Sequence, residues 1–290
     1  MSATTAGRSL AVVVVSHDSG DTLATCLDRV ARSDGVDRLI VVDNASTDGA
    51  PQALAADAAR NLTLVANPDN PGFGSACNQG AARAGAVDWI AFLNPDCYIE
   101  PDSWRRLLDL AAGRPDLALL GCDVRDGEGH PEPAARRHDP TLARILASLR
   151  LVAAGRDGSL HAADSGTELQ DVDAPSGALM LVRRSAFEAV GGFDRGYRLH
   201  AEDLDLARRL RDAGGRVVVA NAVRVTHLKG TSSRARPLFV AWHKHRGLAR
   251  YFLRFGAGGG PVGTTLAVCG VWLMFALRLP LVAWSAARTR

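Results

Sequence analysis

Trp89-Ile90-Ala91-Phe92-Leu93-Asn94-Pro95-Asp96 is the stretch whose reading decides the fold. Five apolar residues closed by a turn signal predict a strand buried on both faces, and the proline ends its ladder because it has no N–H to donate. Strands of this kind belong to sheets covered by helices on both sides. The carboxylate of Asp96 then leaves the sheet at a strand's C-terminal end, where open α/β sheets bind ligands. A carboxylate there can hold a divalent cation against a diphosphate, or it can serve the turn alone.

Working outward, the same signature recurs at residues 10–15, 39–42 and 62–65, all apolar and rich in β-branched residues. Helical stretches separate them. In the first, Leu23, Cys26, Leu27 and Val30 share a face, and an alanine-rich segment runs from Pro51 to Ala59. The alternation predicts parallel βαβ units, hence an α/β, Rossmann-like and mostly parallel sheet flanked by helices. Residues 177–182 predict a further strand. A helix then starts at Glu202-Asp203, passes through Leu204, Ala207 and Leu210, and ends at Gly214-Gly215. Residues 217–219 and 223–227 predict two closing strands. Residues 123–169 are polar, with clustered Gly, Pro and Arg, and read as a surface excursion or loop.

At 290 residues and 47% hydrophobic composition, the chain has room for one core and an appendage. Its net charge of +3 hides an asymmetry. No Asp or Glu occurs after residue 220, whereas 11 of the 34 Lys and Arg do, leaving 23 basic against all 31 acidic residues before it. Residues 1–230 form the predicted catalytic unit and 231–290 a helical, membrane-associating one. Residues 238–255 carry Leu238, Ala241, Leu248, Phe252 and Phe255 on one face and Arg246, Arg250 and Arg254 on another, a basic amphipathic helix. Glycines at 256 and 258–260 break it, and residues 262–284 are apolar except for Arg278, with Pro280 inside. That length suffices to span a bilayer, but Arg278 and Pro280 favour an interfacial or re-entrant helix, with packing on the core or a homodimer interface as alternatives. An anionic membrane surface suits the basic tail better than nucleic acid, for which no binding motif is present. Five cysteines without a C-x-x-C pair, and a short polar N-terminus with no signal-peptide core, predict a reducing cytoplasm, at the inner face of the membrane.

Ser16, Asp43 and Asp96 end three of the predicted strands and gather at one sheet edge. Asp43 and Asn44 can read a nucleotide base or its ribose, or make Asx-turns and N-caps; the pattern leaves both open. In residues 67–78, N-P-D-N-P-G-F-G-S-A-C-N, glycines permit close backbone approach to a ligand and Asn78 can open the next helix, although an ordinary loop reads the same way. Glu202 and Asp203 are either dipole-favoured residues at a helix start or a general base. His227 is a metal ligand or a satisfied buried histidine.

Taken in order, V-V-D-N-A-S-T-D (41–48), N-P-G-F-G-S-A-C-N-Q-G (70–80), F-L-N-P-D (92–96), S-G-A-L-M-L-V-R-R (176–184), G-G-F-D (191–194) and E-D-L-D-L-A-R-R-L-R-D-A-G (202–214) resemble the family 2 inverting glycosyltransferases of GT-A fold, close to bacterial rhamnosyltransferases acting on lipid-linked sugars. The resemblance spans residues 10–230. It implies that Ser16, Asp43, Asn44, Asn94 and Gly177 belong to the substrate site, with Asp43 at the nucleotide base, and that Asn70, Gly74 and Asn78 line the diphosphosugar pocket. It implies Asp96 and His227 as ligands of Mg²⁺ or Mn²⁺, Asp203 as the catalytic base and Glu202 beside it. The implied partners are a nucleotide-diphosphate sugar, dTDP-rhamnose in first place over UDP-galactofuranose or a UDP-hexose, and a polyprenyl-diphosphate saccharide of cell-wall or surface polysaccharide assembly. Asn94 stands where the family's D-x-D has its first acid, and residues 198–201 lack the usual aromatics before E-D. Among rivals, a dinucleotide dehydrogenase lacks its G-x-G-x-x-G, a nucleotidyltransferase its basic glycine loop after the first strand, and a sugar-nucleotide-binding scaffold would have no use for Asp203.

Overall fold

The computed structural model describes residues 8–57, 61–153, 160–228 and 236–288. The N-terminal half runs β1 (Leu10–Ser16), α1 (Gly20–Ala31), β2 (Arg38–Asn44), α2 (Ala50–Ala56), β3 (Leu62–Asn67), α3 (Phe73–Arg83), β4 (Trp89–Leu93), β5 (Cys97–Tyr98) and α4 (Ser103–Ala111). There follow β6 (Leu117–Arg125), a 3₁₀ turn at Pro133–Ala135, β7 (Arg136–Arg137), α5 (Leu142–Ala153), β8 (Leu169–Asp171), β9 (Ala174–Pro175), β10 (Leu179–Arg183), α6 (Arg184–Ala189), α7 (Glu202–Asp212) and β11 (Arg216–His227). Two long helices close the chain, α8 (Pro237–Phe255) and α9 (Gly260–Arg288).

The main sheet has the order β3-β2-β1-β4-β10-β6-β11-β5, with β8 paired to β11. β1 to β4 are mutually parallel, as the βαβ reading requires, while β10 enters antiparallel to both β4 and β6. Every residue of β1 and β4 is buried. Their side chains alternate between two cores, Leu10, Val12, Val14 and Leu93 facing α1 and α4, and Ala11, Val13, Ile90 and Phe92 facing α3, α6 and α7. That division is why these apolar runs are unbroken: neither face of β1 or β4 meets water. α3 lies so close to the sheet that a Cβ on Gly80 would stand 2.3 Å from Val13 Cγ1.

Four expectations are corrected. Residues 217–219 and 223–227 are one strand, β11, whose register with β6 slips between Ala220 and Arg224. The polar excursion is built structure: β6, the 3₁₀ turn, β7, α5 and β8 all fall within or overlap residues 123–169, and β7 pairs with β9 in a second, two-stranded sheet. Short strands rich in Arg and Pro carry no hydrophobic period, so periodicity misses them. The face of α8 also differs. It buries Gly247, Ala249, Tyr251 and Phe252 and leaves Leu238 and Leu253 exposed, while Arg250 and Arg254 turn to Asp194. α2 ends at Ala56, short of the expected Ala59, and the 230/231 boundary lies outside the described residues.

α8 and α9 fold back on each other through a glycine turn in which Gly256, Gly258, Gly259 and Gly260 all have φ between 66° and 80°. Trp242 stacks on Trp272 and Phe275. The pair is seated on the catalytic unit by Phe252 and Tyr251, whose hydroxyl donates to Asp139 at 2.9 Å. α9 is long and apolar enough to cross a membrane, with mean hydropathy 2.0 over Gly260–Ala283. Little of that stretch is covered by the rest of the protein.

Candidate active site

At the C-terminal ends of β1, β2 and β4 opens a cavity of about 520 Å³. Asn44, Asn70, Asn94, Asp96 and His227 all line it, so it unites five of the residues singled out from the sequence, together with His17, Gly72 and His200, which were not. Its wall runs through Arg198, Leu199 and His200 and stops short of Glu202 and Asp203; Phe239 and Val240 of α8 complete it.

Asp96 and His227 meet because β5, only two residues long, pairs antiparallel with the end of β11 and sets His227 opposite Cys97. His227 Nε2 lies 3.2 Å from Asp96 Oδ1, and its Nδ1 lies 3.1 Å from Glu132 Oε1. Glu132 is a buried carboxylate delivered by the segment that had read as loop. Burial works to lower the His227 pKa, but hydrogen bonds to Asp96 and Glu132 outweigh it and carry it up to about 9. The donor set suits a hard divalent cation. Adjacent ligands about 2.1 Å from an octahedral ion stand about 3 Å apart, close to the Asp96–His227 spacing. A carboxylate on the far nitrogen is the usual orienting partner of a ligating imidazole. Ligation needs the neutral ring, so it releases the shared proton.

The asparagines form a network on the opposite wall. Asn67 donates to Asn44 Oδ1 at 2.9 Å, and Asn70 Oδ1 accepts from the Gly72 amide at 3.0 Å. Gly72 is held at φ +96° with its Cα against the Arg198 carbonyl, where a Cβ would come within 2.5 Å of the oxygen. The glycine at the pocket is therefore Gly72, not Gly74. Gly74 packs against the Phe193 side chain inside α3. Asn78 likewise sits in the interior of α3 rather than opening it, and its side-chain amide clamps the Phe193 backbone, donating to its carbonyl at 2.8 Å and accepting from its N–H at 2.9 Å. It holds the G-G-F-D turn in place. Ser16 is fully buried, bonded to Ser19 Oγ at 3.1 Å. Asp43 takes hydrogen bonds from the Ser46 amide and from Gln52 Nε2, at 2.9 and 2.7 Å.

Glu202 and Asp203 open α7 after two consecutive left-handed residues, His200 (φ 67°) and Ala201 (φ 69°). Non-glycine residues hold such angles only under constraint from their surroundings. Asp203 Oδ2 accepts from Arg137 at 2.6 Å and Oδ1 from the Leu204 amide at 2.8 Å. Burial would raise its pKa, but the charge and hydrogen bond of Arg137 hold it below the usual carboxylate range. Gly177 makes room for it, since a Cβ there would lie 2.9 Å from Asp203 Oδ2. Arg137 comes from the β7–β9 sheet, and nothing in the sequence marked it. Glu202 Oε2 is buried with no hydrogen-bond partner among the described residues.

Burial, and then the charge of Asp203, push the Glu202 carboxyl up from 4.5 to about 8. A folded-state pKa raised in this way favours the fold fully below the unfolded pKa, and the contribution is lost as pH rises through the folded one. Glu202→Gln is thus expected to gain melting temperature relative to wild type as pH climbs from about 5 to about 9. Thermal scans across that range check it, and parallel curves would exclude the buried acid.

Comparison with known proteins agrees with this fold. A family model described as glycosyl transferase family 2 matches residues 11–191, and one described as glycosyl transferase family 21 matches residues 138–246. The chain is 34% identical over 265 residues to the N-acetylglucosaminyl-diphospho-decaprenol L-rhamnosyltransferase of Mycobacterium tuberculosis, covering 81% of each protein. It is 28% identical over 222 residues to rhamnosyltransferase WbbL of Escherichia coli, covering 74% of this chain and 82% of that one. Among solved structures, GalNAc-T7 with UDP, GalNAc and Mn²⁺ superposes with a TM-score of 0.65 at 14% identity, over 86% of this chain and 48% of that one, so this chain spans about half its length. The mannosyltransferase PcManGT from Pyrobaculum calidifontis, in complex with GDP-Man and Mn²⁺, gives 0.60 at 19% identity, over 98% and 74%. At such identities these two structures speak to the fold alone.

Proposed function

The chain belongs to glycosyl transferase family 2, with a GT-A fold, and from that premise we propose that it transfers L-rhamnose from dTDP-rhamnose, with inversion, to a hydroxyl of a polyprenyl-diphosphate-linked saccharide in surface polysaccharide assembly. Its likeness to the mycobacterial and E. coli rhamnosyltransferases supports the sugar and the lipid-linked acceptor. The observation that carries the catalytic reading is the convergence of Asp96 and His227 at one wall of an asparagine-lined cavity.

A divalent cation, Mg²⁺ or Mn²⁺, held by Asp96 and His227 would supply positive charge to the leaving diphosphate. Asn44, Asn70 and Asn94 line the same cavity and offer amide donors to the donor's phosphate and sugar oxygens. Asp43 stands for the base contact: the amide N–H that Gln52 gives its Oδ2 has the chemistry of a pyrimidine N3–H. Asp203 accepts the proton of the acceptor hydroxyl as that oxygen attacks the anomeric carbon from the face opposite the diphosphate. Arg137 keeps it ionised, so the base is ready at neutral pH. One base and one displacement invert the centre. The reaction is placed at the cytoplasmic face of the membrane, residues 1–230 catalytic and 231–290 membrane-associating, with α9 lying at the interface.

Glu132→Ala is expected to weaken Mn²⁺ binding by about 10- to 100-fold by freeing the His227 ring. Calorimetric titration of Mn²⁺ in the presence of nucleoside diphosphate reads this directly, and an unchanged affinity would remove Glu132 from the site. The transfer itself is tested by mass spectrometry, with a panel of nucleotide sugars and a short-chain prenyl-diphosphate-GlcNAc acceptor. Mass gain from dTDP-rhamnose alone is expected; gain from a UDP-sugar instead would overturn the donor.

A further inference from the structure

A second, larger cavity, of about 830 Å³, lies between α7, the α8–α9 hairpin and the G-G-F-D turn. It shares no lining residue with the donor cavity. Four arginines face it, Arg209, Arg246, Arg250 and Arg254, against the carboxylates of Asp194 and Asp205. Arg250 and Arg254 both bond Asp194 at 2.8 Å, Arg254 also reaches Asp205 at 2.9 Å, and Arg209 bonds Asp205 at 2.6 Å. The Arg250 and Arg254 pairs seat α8 on the α/β unit, and the Arg209 pair lies within α7. Arg246 has no hydrogen-bond or ion-pair partner among the described residues, so the cavity keeps guanidinium charge in excess of its acids.

The rest of the lining is apolar. Leu253, 71% exposed, stands beside Val268 and Trp272 in the lining, while Leu266, Leu273 and Leu277 are uncovered on the opposite face of α9. Guanidinium groups beside the exposed Leu253 and the apolar Val268 and Trp272 match an amphiphile with an anionic head. We propose that this cavity binds the phosphate of an anionic membrane phospholipid, with Arg246 on the phosphate and Leu253, Val268 and Trp272 against the first methylenes of its chain. The site rests on the membrane-associated reading above and adds to it a place and a chemistry for the contact.

The full chain is tested by vesicle flotation with phosphatidylcholine alone and with about one-third phosphatidylglycerol. Wild type is expected to bind the anionic vesicles at least about tenfold more tightly. Arg246→Gln is expected to lose most of that preference, while Lys244→Gln, an equal charge change on an exposed residue of the same helix outside the cavity, is expected to lose about twofold at most. Equal losses from the two variants would show diffuse attraction and overturn the site. So would equal binding to both vesicle types. Thermal stabilisation by inorganic phosphate without binding to anionic vesicles would also overturn it, leaving a free-anion site. Binding of nucleoside diphosphate with Mn²⁺ to lipid-free wild type reports on the transferase reading separately.

Discussion

Asp203→Asn is expected to lower kcat by about 10³-fold and leave donor affinity within about twofold, because a positioned general base contributes about 10²- to 10⁴-fold. The substitution is nearly isosteric. It keeps an acceptor oxygen for Arg137, whose bond of 2.6 Å otherwise fixes the carboxylate, and it removes only the capacity to take a proton. Gly177 leaves no slack for a larger group at this position. Steady-state kinetics with both substrates, beside calorimetry with the nucleotide donor, separate the two quantities. Retention of more than a few per cent of kcat would exclude Asp203 as the base and move attention to Glu202, the neighbouring acid with an unpartnered oxygen.

Asp96→Ala is expected to lower kcat/KM by about 10³-fold and to abolish the Mn²⁺ dependence of donor binding, since charge neutralisation at a leaving diphosphate contributes several kcal/mol. Asp96 is 7% exposed and is one of two carboxylates on the His227 ring. Without it the imidazole keeps Glu132 alone, and the cavity side of the ring has no anionic neighbour. The fall exceeds that expected of Glu132→Ala because a ligand is lost rather than the group that orients one. Donor titrations with and without Mn²⁺ check the point. A variant whose donor affinity still rises with Mn²⁺ would place the cation elsewhere.

The β1, β2 and β4 strands were legible because they are covered on both faces, which leaves a signature that needs no knowledge of partners. The 89–93 run is β4 to the residue. Asp96 and His227 were legible as chemistry, and as neighbours only through the family resemblance. They are 131 positions apart, and the pairing that joins them involves a strand of two residues, too short to have a period. Glu132 and Arg137 were hidden for a related reason. Each sits in a Pro- and Arg-rich segment whose order comes from tertiary contacts, Glu132 from His227 and Arg137 from β9 and Asp203. Gly72 and Gly74 were indistinguishable in sequence. Only the backbone angle and the nearby Arg198 carbonyl single out the first. Asn78 shows the converse: a polar residue in a promising motif can spend its hydrogen bonds on holding a loop.

Phe239 and Val240 form part of the donor cavity's wall although they belong to α8. A chain shortened before α8 to gain solubility would thus be an enzyme with one side of its substrate chamber missing. Poor turnover by such a fragment would say nothing about whether lipid is required. The sounder way to a tractable protein is to keep α8 whole and exchange the uncovered leucines of α9, Leu266, Leu273 and Leu277, for polar residues, which leaves the chamber closed.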